Sequence, residues 1–299
     1  MTVHLAAMAS RHVPGDTGHG AEMDDAVAVY APGLFRDRVA VVTGGGTGLG
    51  RETALAFARL GADVVVAGRT AERLDAVRSE VDKMGRRCLA VPTNIRDVDQ
   101  VESLHQQVYA ELGRVDFLVN NAGGQFPALP SKITDNGWRA VVDLNLHGTW
   151  NMTSRFMKSM AAAGSGAIVN VVHIFAFERG APLFAHSGAA RAGVVNLTRT
   201  LAPYLIRHGV TINALAPGIF STPGMVQSEL EAVGRTEDGF SREMAAEGTA
   251  TRMGTTAEMA AIVLFLCSPA ARYVSGTALV ADGAASQSNW PEVFDPGDL

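Results

Sequence analysis

Short apolar runs alternate along the chain with longer stretches in which apolar positions recur every three or four residues. The runs Val39–Thr43, Asp63–Ala67, Cys88–Pro92, Phe117–Asn120, Ala167–Val172, Val210–Ala214 and Ala278–Ala281 are mostly continuous in apolar character, as strands covered on both faces are. Between them the helical period predicts Arg51–Leu60, Thr70–Met84, Val98–Leu112, Ser187–Ile206 and Thr256–Cys267 as helices. Asp135–Met160 reads as one long helix interrupted near Gly148. This alternation predicts an α/β fold: a single doubly wound (Rossmann) domain with a mostly seven-stranded parallel sheet and helices on both faces. The domain is expected over residues 32–285, after an N-terminal extension (1–31, partly ordered) and before a C-terminal tail (286–299).

Composition narrows the class without naming a chemistry. A net charge of −5 gives no support to nucleic-acid or anionic-membrane binding. No apolar run approaches the ~18 residues that a membrane span needs. The start lacks the basic and apolar segments of a secretory signal. Cys88 and Cys267 are too few for a disulfide framework and read as reduced buried thiols, which points to the cytoplasm. The histidines do not pair with cysteine at ligand spacing, so no metal site is expected.

The candidate chemistry sits just after the strands, where open parallel sheets bind ligands. Thr43, Gly44, Gly46, Thr47, Gly48, Leu49 and Gly50 form a glycine turn between a strand and a helix. Such a turn is a phosphate cradle: Gly44 for the tight turn, Gly48 for close approach of a pyrophosphate, Gly50 for close packing of helix on strand. The second strand ends at Arg69, whose planar fork suits a 2′-phosphate, so the expected cofactor is NADPH; the alternative is a surface cation. Asn94 and Ile95 follow the third strand, with Asn94 on adenine or as a turn asparagine. Asn121, Ala122 and Gly123 follow the fourth, His173 the fifth, and Pro217, Gly218 and Thr222 the sixth.

With those landmarks in place, the chain resembles the short-chain dehydrogenase/reductase family over about residues 34–284. The likeness rests on the glycine turn, Asn120-Asn121-Ala122-Gly123, Asn145 within Asp143-Leu144-Asn145-Leu146, and Pro217-Gly218 with Thr222. It implies an adenosine-side role for Asn121–Gly123, a structural and proton-relay role for Asn145, and a loop at Pro217–Thr222 that closes on the nicotinamide amide. The segments Gly123-Gly124-Gln125-Phe126, His186–Val194 and Asn289-Trp290-Pro291 are similar to the trans-2-enoyl-CoA and 2,4-dienoyl-CoA reductase branch. That branch reduces carbon–carbon double bonds of CoA thioesters with NADPH. The family also implies a homo-oligomer, tetramer or dimer.

Most members place a tyrosine as acid and a lysine four residues later. The resemblance puts Ser187 and Arg191 at those positions, His173 at or beside an upstream serine, and Phe175 where the dienoyl reductases keep a replacement tyrosine. The catalytic candidates are therefore Asn145, His173, Ser187 and Arg191. Arginine holds its proton and cannot act as an acid. Serine is a poor acid but can donate to an oxyanion, and one such donor is worth about 2.7–4 kcal/mol. Reducing an enoyl thioester needs such donors more than it needs an acid, which favours C=C reduction of a small-molecule thioester. Carbonyl reduction, a non-redox reaction and cofactor binding without turnover stay open. His173 is expected to supply protons near neutrality, or else to bond a carbonyl at a strand end. Ser187 reads alternatively as a helix N-cap, and His147 and His186 as packing residues. Ile219–Met253 is expected to be a substrate lid, with Arg235, Arg242 and Arg252 as lesser candidates for CoA phosphates, and Trp290 as a tail residue over a neighbouring pocket or an apolar anchor.

Overall fold

The computed structural model describes residues 25–222 and 252–287, with a few residues between them. Seven strands form one parallel sheet: β1 (Val39–Thr43), β2 (Asp63–Gly68), β3 (Cys88–Pro92), β4 (Phe117–Asn120), β5 (Gly166–Val171), β6 (Val210–Pro217) and β7 (Ala278–Ala281), in the order β3-β2-β1-β4-β5-β6-β7. The order reverses between β1 and β4, and this opens a crevice at their carboxyl ends. The register is tight there, with Val41 beside both Val65 and Leu118. Every residue of β1 and β6 is buried, which is why these strands read as mostly apolar runs.

Helices cover both faces. After α1 (Asp25–Ala28) come α2 (Gly48–Arg59), α3 (Ala71–Lys83), α4 (Val98–Leu112), α5 (Asp135–Val142), α6 (Gly148–Ala163), α7 (Ala185–Leu205) and α8 (Thr256–Cys267). One core joins β1, β2 and β4 to α2 and α8 around the ring cluster of Phe35, Phe57 and Phe117. The other packs α4, α6 and α7 on the opposite face through Leu104, Met152, Phe156 and Leu205. Both cysteines are free and buried, and burial pushes the Cys88 thiol up to about 12. No helix among the described residues is long and apolar enough to cross a membrane.

Two sequence expectations change, at Gly148 and at His147. The stretch expected as one helix with a break near Gly148 runs on through a π-helical segment at Asp143–His147, and Gly148 belongs to the helix that follows. Glycine is needed there for closeness, because a Cβ would stand 2.6 Å from Ile95 Cδ1. Within the extension expected to be partly ordered, Val27 is buried in the core and Tyr30 donates to the Ala261 carbonyl. His147 is exposed and paired with Asp143 at 2.8 Å rather than packed.

A buried carboxylate ties the sheet's amino-terminal edge. Asp116 Oδ2 accepts from Val39 N at 2.9 Å, and both its oxygens take guanidinium donors from Arg38 and Arg114. Asp116→Ala orphans a buried N–H and two cations. It is expected to cost about 3 kcal/mol. Scanning calorimetry should then show a midpoint roughly 6–12 °C lower.

Candidate active site

The cofactor cleft opens where the sheet order reverses. It holds about 620 Å³ and is lined by Gly44, Gly46, Thr47, Gly48 and Leu49 from the glycine turn, with Arg69, Asn94, Ile95, Asn121, Ala122, Gly123 and Thr222 around it. Gly44 and Gly48 have φ of 65° and 51°, values that favour glycine. A Cβ on Gly50 would overlap the Gly44 carbonyl oxygen and Asn121 Nδ2, so the start of α2 rests on the turn without a spacer. Thr43 and Gly50 lie beneath the cleft and do not line it. The Thr43 hydroxyl accepts from Asn121 N and Ala122 N, both at 3.0 Å, and so clamps the loop after β4 onto β1. Pro217 closes β6, and Gly218 is bonded to Ala281; neither lines the cleft. Thr222 lines it instead, its methyl over Gly48.

Arg69 is exposed on the rim. Arg73, in the first turn of α3, lines the same rim, with its Cβ against Gly46. Neither arginine has an ion-pair partner among the described residues. Arg73 was missed by the sequence reading. Its four-residue spacing from Arg69 across a strand–helix junction was the available signal. Asn94 behaves as a turn residue, since its Oδ1 accepts from Arg96 N at 3.3 Å and Arg96 Nε at 3.2 Å.

The Gly123 end of the cleft meets the catalytic candidates. A Cβ on Gly123 would stand 2.5 Å from Arg191 Nη2 and 2.7 Å from Asn145 Oδ1, so glycine lets both side chains reach the loop. Arg191 Nη1 donates to the Val171 carbonyl at 2.9 Å. Asn145, in the π segment, donates from Nδ2 to the Gly124 and Val141 carbonyls, both at 2.8 Å, and accepts from Gly124 N at 3.2 Å. Its amide is thus engaged in positioning the loop. Below, Asn120 Nδ2 donates to Asn170 Oδ1 and Asn170 Nδ2 to Thr198 Oγ1, a buried ladder joining β4, β5 and α7.

Ser187 is wholly buried in the first turn of α7, which begins at Ala185, so the N-cap reading does not hold. Its Oγ lies 2.6 Å from Gln125 Oε1 and 3.0 Å from His173 Nε2. Gln125 is the second residue that the sequence reading missed. Its hydrogen bond spans 62 positions, and no local pattern foretells it. His186 is buried, accepts from Ser187 N through Nδ1 and meets Phe126 edge-on. Phe175 stacks on Phe184 and meets the edge of His173. None of the four tyrosines bonds to Ser187, His173 or Arg191: Tyr30 reaches Ala261, Tyr109 packs on His105 and Tyr204 on His208, and Tyr273 is fully exposed.

The expectation that His173 supplies protons near neutrality is corrected. Desolvation, with the Arg191 cation adding to it, pushes His173 from 6.5 down to about 3. It stands neutral at physiological pH. Between pH 6.5 and about 3 the unfolded chain binds a proton that the folded chain refuses, so stability is lost as pH falls through that window. His173→Gln keeps a donor towards Ser187 and removes the ionisation. Urea unfolding of this variant is expected to lose the contribution of up to about 1.4 kcal/mol per pH unit to the acid slope.

The lid region lies largely outside the described residues, as do Arg235 and Trp290. Arg252 is engaged with both oxygens of Glu258, whose carboxyl it helps hold down at about 2.

Comparison with known proteins identifies the family. A sequence profile described as short chain dehydrogenase matches residues 38–232. The chain is 36% identical over 270 residues to peroxisomal 2,4-dienoyl-CoA reductase of Pongo abelii, covering 88% of this chain and 90% of that one. It is 40% identical over 250 residues to cis-4-hydroxycyclohexanecarboxylate dehydrogenase of Sinomonas cyclohexanicum, covering 83% and 96%. A solved structure from Beutenbergia cavernae, assigned as an NAD(P)-dependent gluconate 5-dehydrogenase and carrying NADP at low occupancy, superposes with a TM-score of 0.78 at 36% identity, over 86% of this chain and all of that one.

Proposed function

The chain belongs to the short-chain dehydrogenase family of oxidoreductases, and from that premise we propose that it uses NADPH to reduce the C=C bond of an enoyl thioester or similarly activated alkene. The observation that carries this reading is the corner around Ser187. A buried hydroxyl is held between an amide oxygen and a neutral imidazole, with a guanidinium nearby and no phenol bonded to any of them. These groups donate hydrogen bonds well and protons poorly. A ketone's alkoxide needs a real acid beside it, whereas a thioester enolate needs fixed donors at its oxygen and takes a proton on carbon afterwards.

The cleft fits a dinucleotide, since its glycines leave room where any Cβ would intrude and Thr43 holds the loop that would border the adenosine. Arg69 and Arg73 would take the 2′-phosphate, the helix start after Gly48 the pyrophosphate, and Arg191 the ribose beside Gly123. Bound there, the reduced nicotinamide supplies the electron pair. The protein's own part is to fix the loop through Asn145, to keep Ser187 away from water and to hold its hydroxyl between Gln125 and His173. Kinship with the dienoyl-CoA reductases supports the thioester as carrier.

One relative favours a second reading, oxidation or reduction at an alcohol carbon, because it is a hydroxycyclohexanecarboxylate dehydrogenase. The decisive assay mixes the protein with NADPH and a panel of short and medium enoyl-CoAs, and in parallel with cyclic and linear ketones. Loss of nicotinamide absorbance with the enoyl-CoAs is the expected result. Loss with ketones alone would transfer the assignment to carbonyl chemistry. By family analogy the enzyme is a dimer or tetramer, which light scattering measures directly.

A further inference from the structure

The turn after β3 engages almost all of Asn94. Its N–H donates to Gln100 Oε1 at 2.8 Å, and its carbonyl accepts from Asp97 N at 2.9 Å. Its Oδ1 accepts from Arg96 N at 3.3 Å and from Arg96 Nε at 3.2 Å. A backbone N–H and a guanidinium N–H only donate, so the atom facing Arg96 must be the oxygen. Turning the amide round would set donor against donor. What Asn94 has left is Nδ2, an NH2 group with no partner among the described residues.

Asn94 is half-buried and lines the cofactor cleft. Its neighbours in the chain offer the cleft little else that is polar. Thr93 gives its hydroxyl to the Val91 carbonyl at 3.0 Å. Ile95 is apolar, and its carbonyl is held by Asn151 Nδ2 at 3.0 Å. Thr93 N donates to the Gly68 carbonyl at 2.7 Å, so this turn lies directly beside the loop that carries Arg69. The base of a dinucleotide hangs from the ribose whose 2′-phosphate Arg69 would take, and so falls against the turn. Its 6-substituent projects furthest from the ring and is the first group a side chain on the wall meets.

Resting on the NADPH reading above, we propose that Asn94 Nδ2 faces the 6-position of the cofactor's purine as a hydrogen-bond donor, so that the site does not select adenine's amine and takes a 6-oxopurine at least as well. The amine of adenine is itself a donor and gives Nδ2 nothing to bond. The carbonyl of hypoxanthine accepts. A carboxylate in place of Asn94 reverses the preference, because it only accepts. Arg96 would hold one of its oxygens, and the other would take the amine.

The test is calorimetric titration of the full-length protein with NADPH and with deamino-NADPH, in which hypoxanthine replaces adenine. The ratio of the two dissociation constants cancels any general weakening of the cleft. The parent is expected to bind deamino-NADPH as tightly as NADPH or more tightly. Asn94→Asp, a change of one atom in a partly exposed turn, is expected to shift the ratio about tenfold towards NADPH, the worth of one hydrogen bond. A parent that holds NADPH more tightly than its deamino analogue overturns the proposal while the NADPH reading stands. So does an Asn94→Asp variant with the parental ratio. If NADH proves the tighter ligand, the NADPH reading falls, and NADH with deamino-NADH puts the base contact to the same test. A parent that binds none of the four dinucleotides sinks both.

Discussion

Gly50→Ala is expected to abolish NADPH binding and to destabilise the fold by about 3 kcal/mol, the upper range for forcing atoms into a packed interior. The added methyl meets the Gly44 carbonyl oxygen and the Asn121 side chain. Gly44 is main chain, and Asn121 is itself bonded to the Thr43 carbonyl at 2.9 Å, so neither can swing aside. Relief requires α2 to lift from β1, and that removes the helix start from the phosphates it would hold. Gly85→Ala is the control. Gly85 has φ of 71° and nothing within 4 Å of a new Cβ, so only backbone strain of about 1–2 kcal/mol should appear, with cofactor affinity intact. Calorimetric titration with NADPH and urea denaturation separate the two. Equal behaviour of the variants would show that close packing at Gly50 is not what the turn requires.

Arg69→Glu is expected to weaken NADPH by about 100-fold or more while NADH binding improves. A charge-assisted hydrogen bond contributes about 1.5–3 kcal/mol, roughly tenfold to more than a hundredfold, and the new carboxylate adds repulsion. The same carboxylate can hold the ribose hydroxyls of NADH. Arg73 stays on the rim and should keep part of the phosphate affinity, so Arg69→Glu with Arg73→Ala goes further than either change alone. The ratio of dissociation constants for the two cofactors is the measurement. An unchanged ratio would return Arg69 to the status of a surface cation.

Much of this protein was legible before any coordinates. Strands β1, β3, β4 and β7 and helices α4 and α8 fall at the expected residues, because these strands are short, mostly apolar runs and the starts of these two helices carry their own caps. Asp97 caps α4 through Asp99 N and Gln100 N, and Thr255 with Glu258 forms a reciprocal cap on α8. Where these signals were missing, boundaries moved. β6 runs on to Pro217, and α7 starts two residues before Ser187 without a side-chain cap. The π segment gives no periodic signal, and the reach of its Asn145 across to Gly124 is a contact set by the fold.

The cofactor cleft belongs to the same legible class. Its phosphate turn is one continuous segment, and most of its other walls follow closely on strands, so order along the chain translates largely into place around the crevice. The reacting corner does not. Sequence supplied Ser187, His173 and Arg191 as candidates. It could not say that Gln125 takes the serine's proton, or that His173 is too desolvated to hold one. Residue type sets what a side chain can donate or accept. Burial and the neighbours brought in by distant segments decide whether it is charged, which way its proton points and what is left for a substrate.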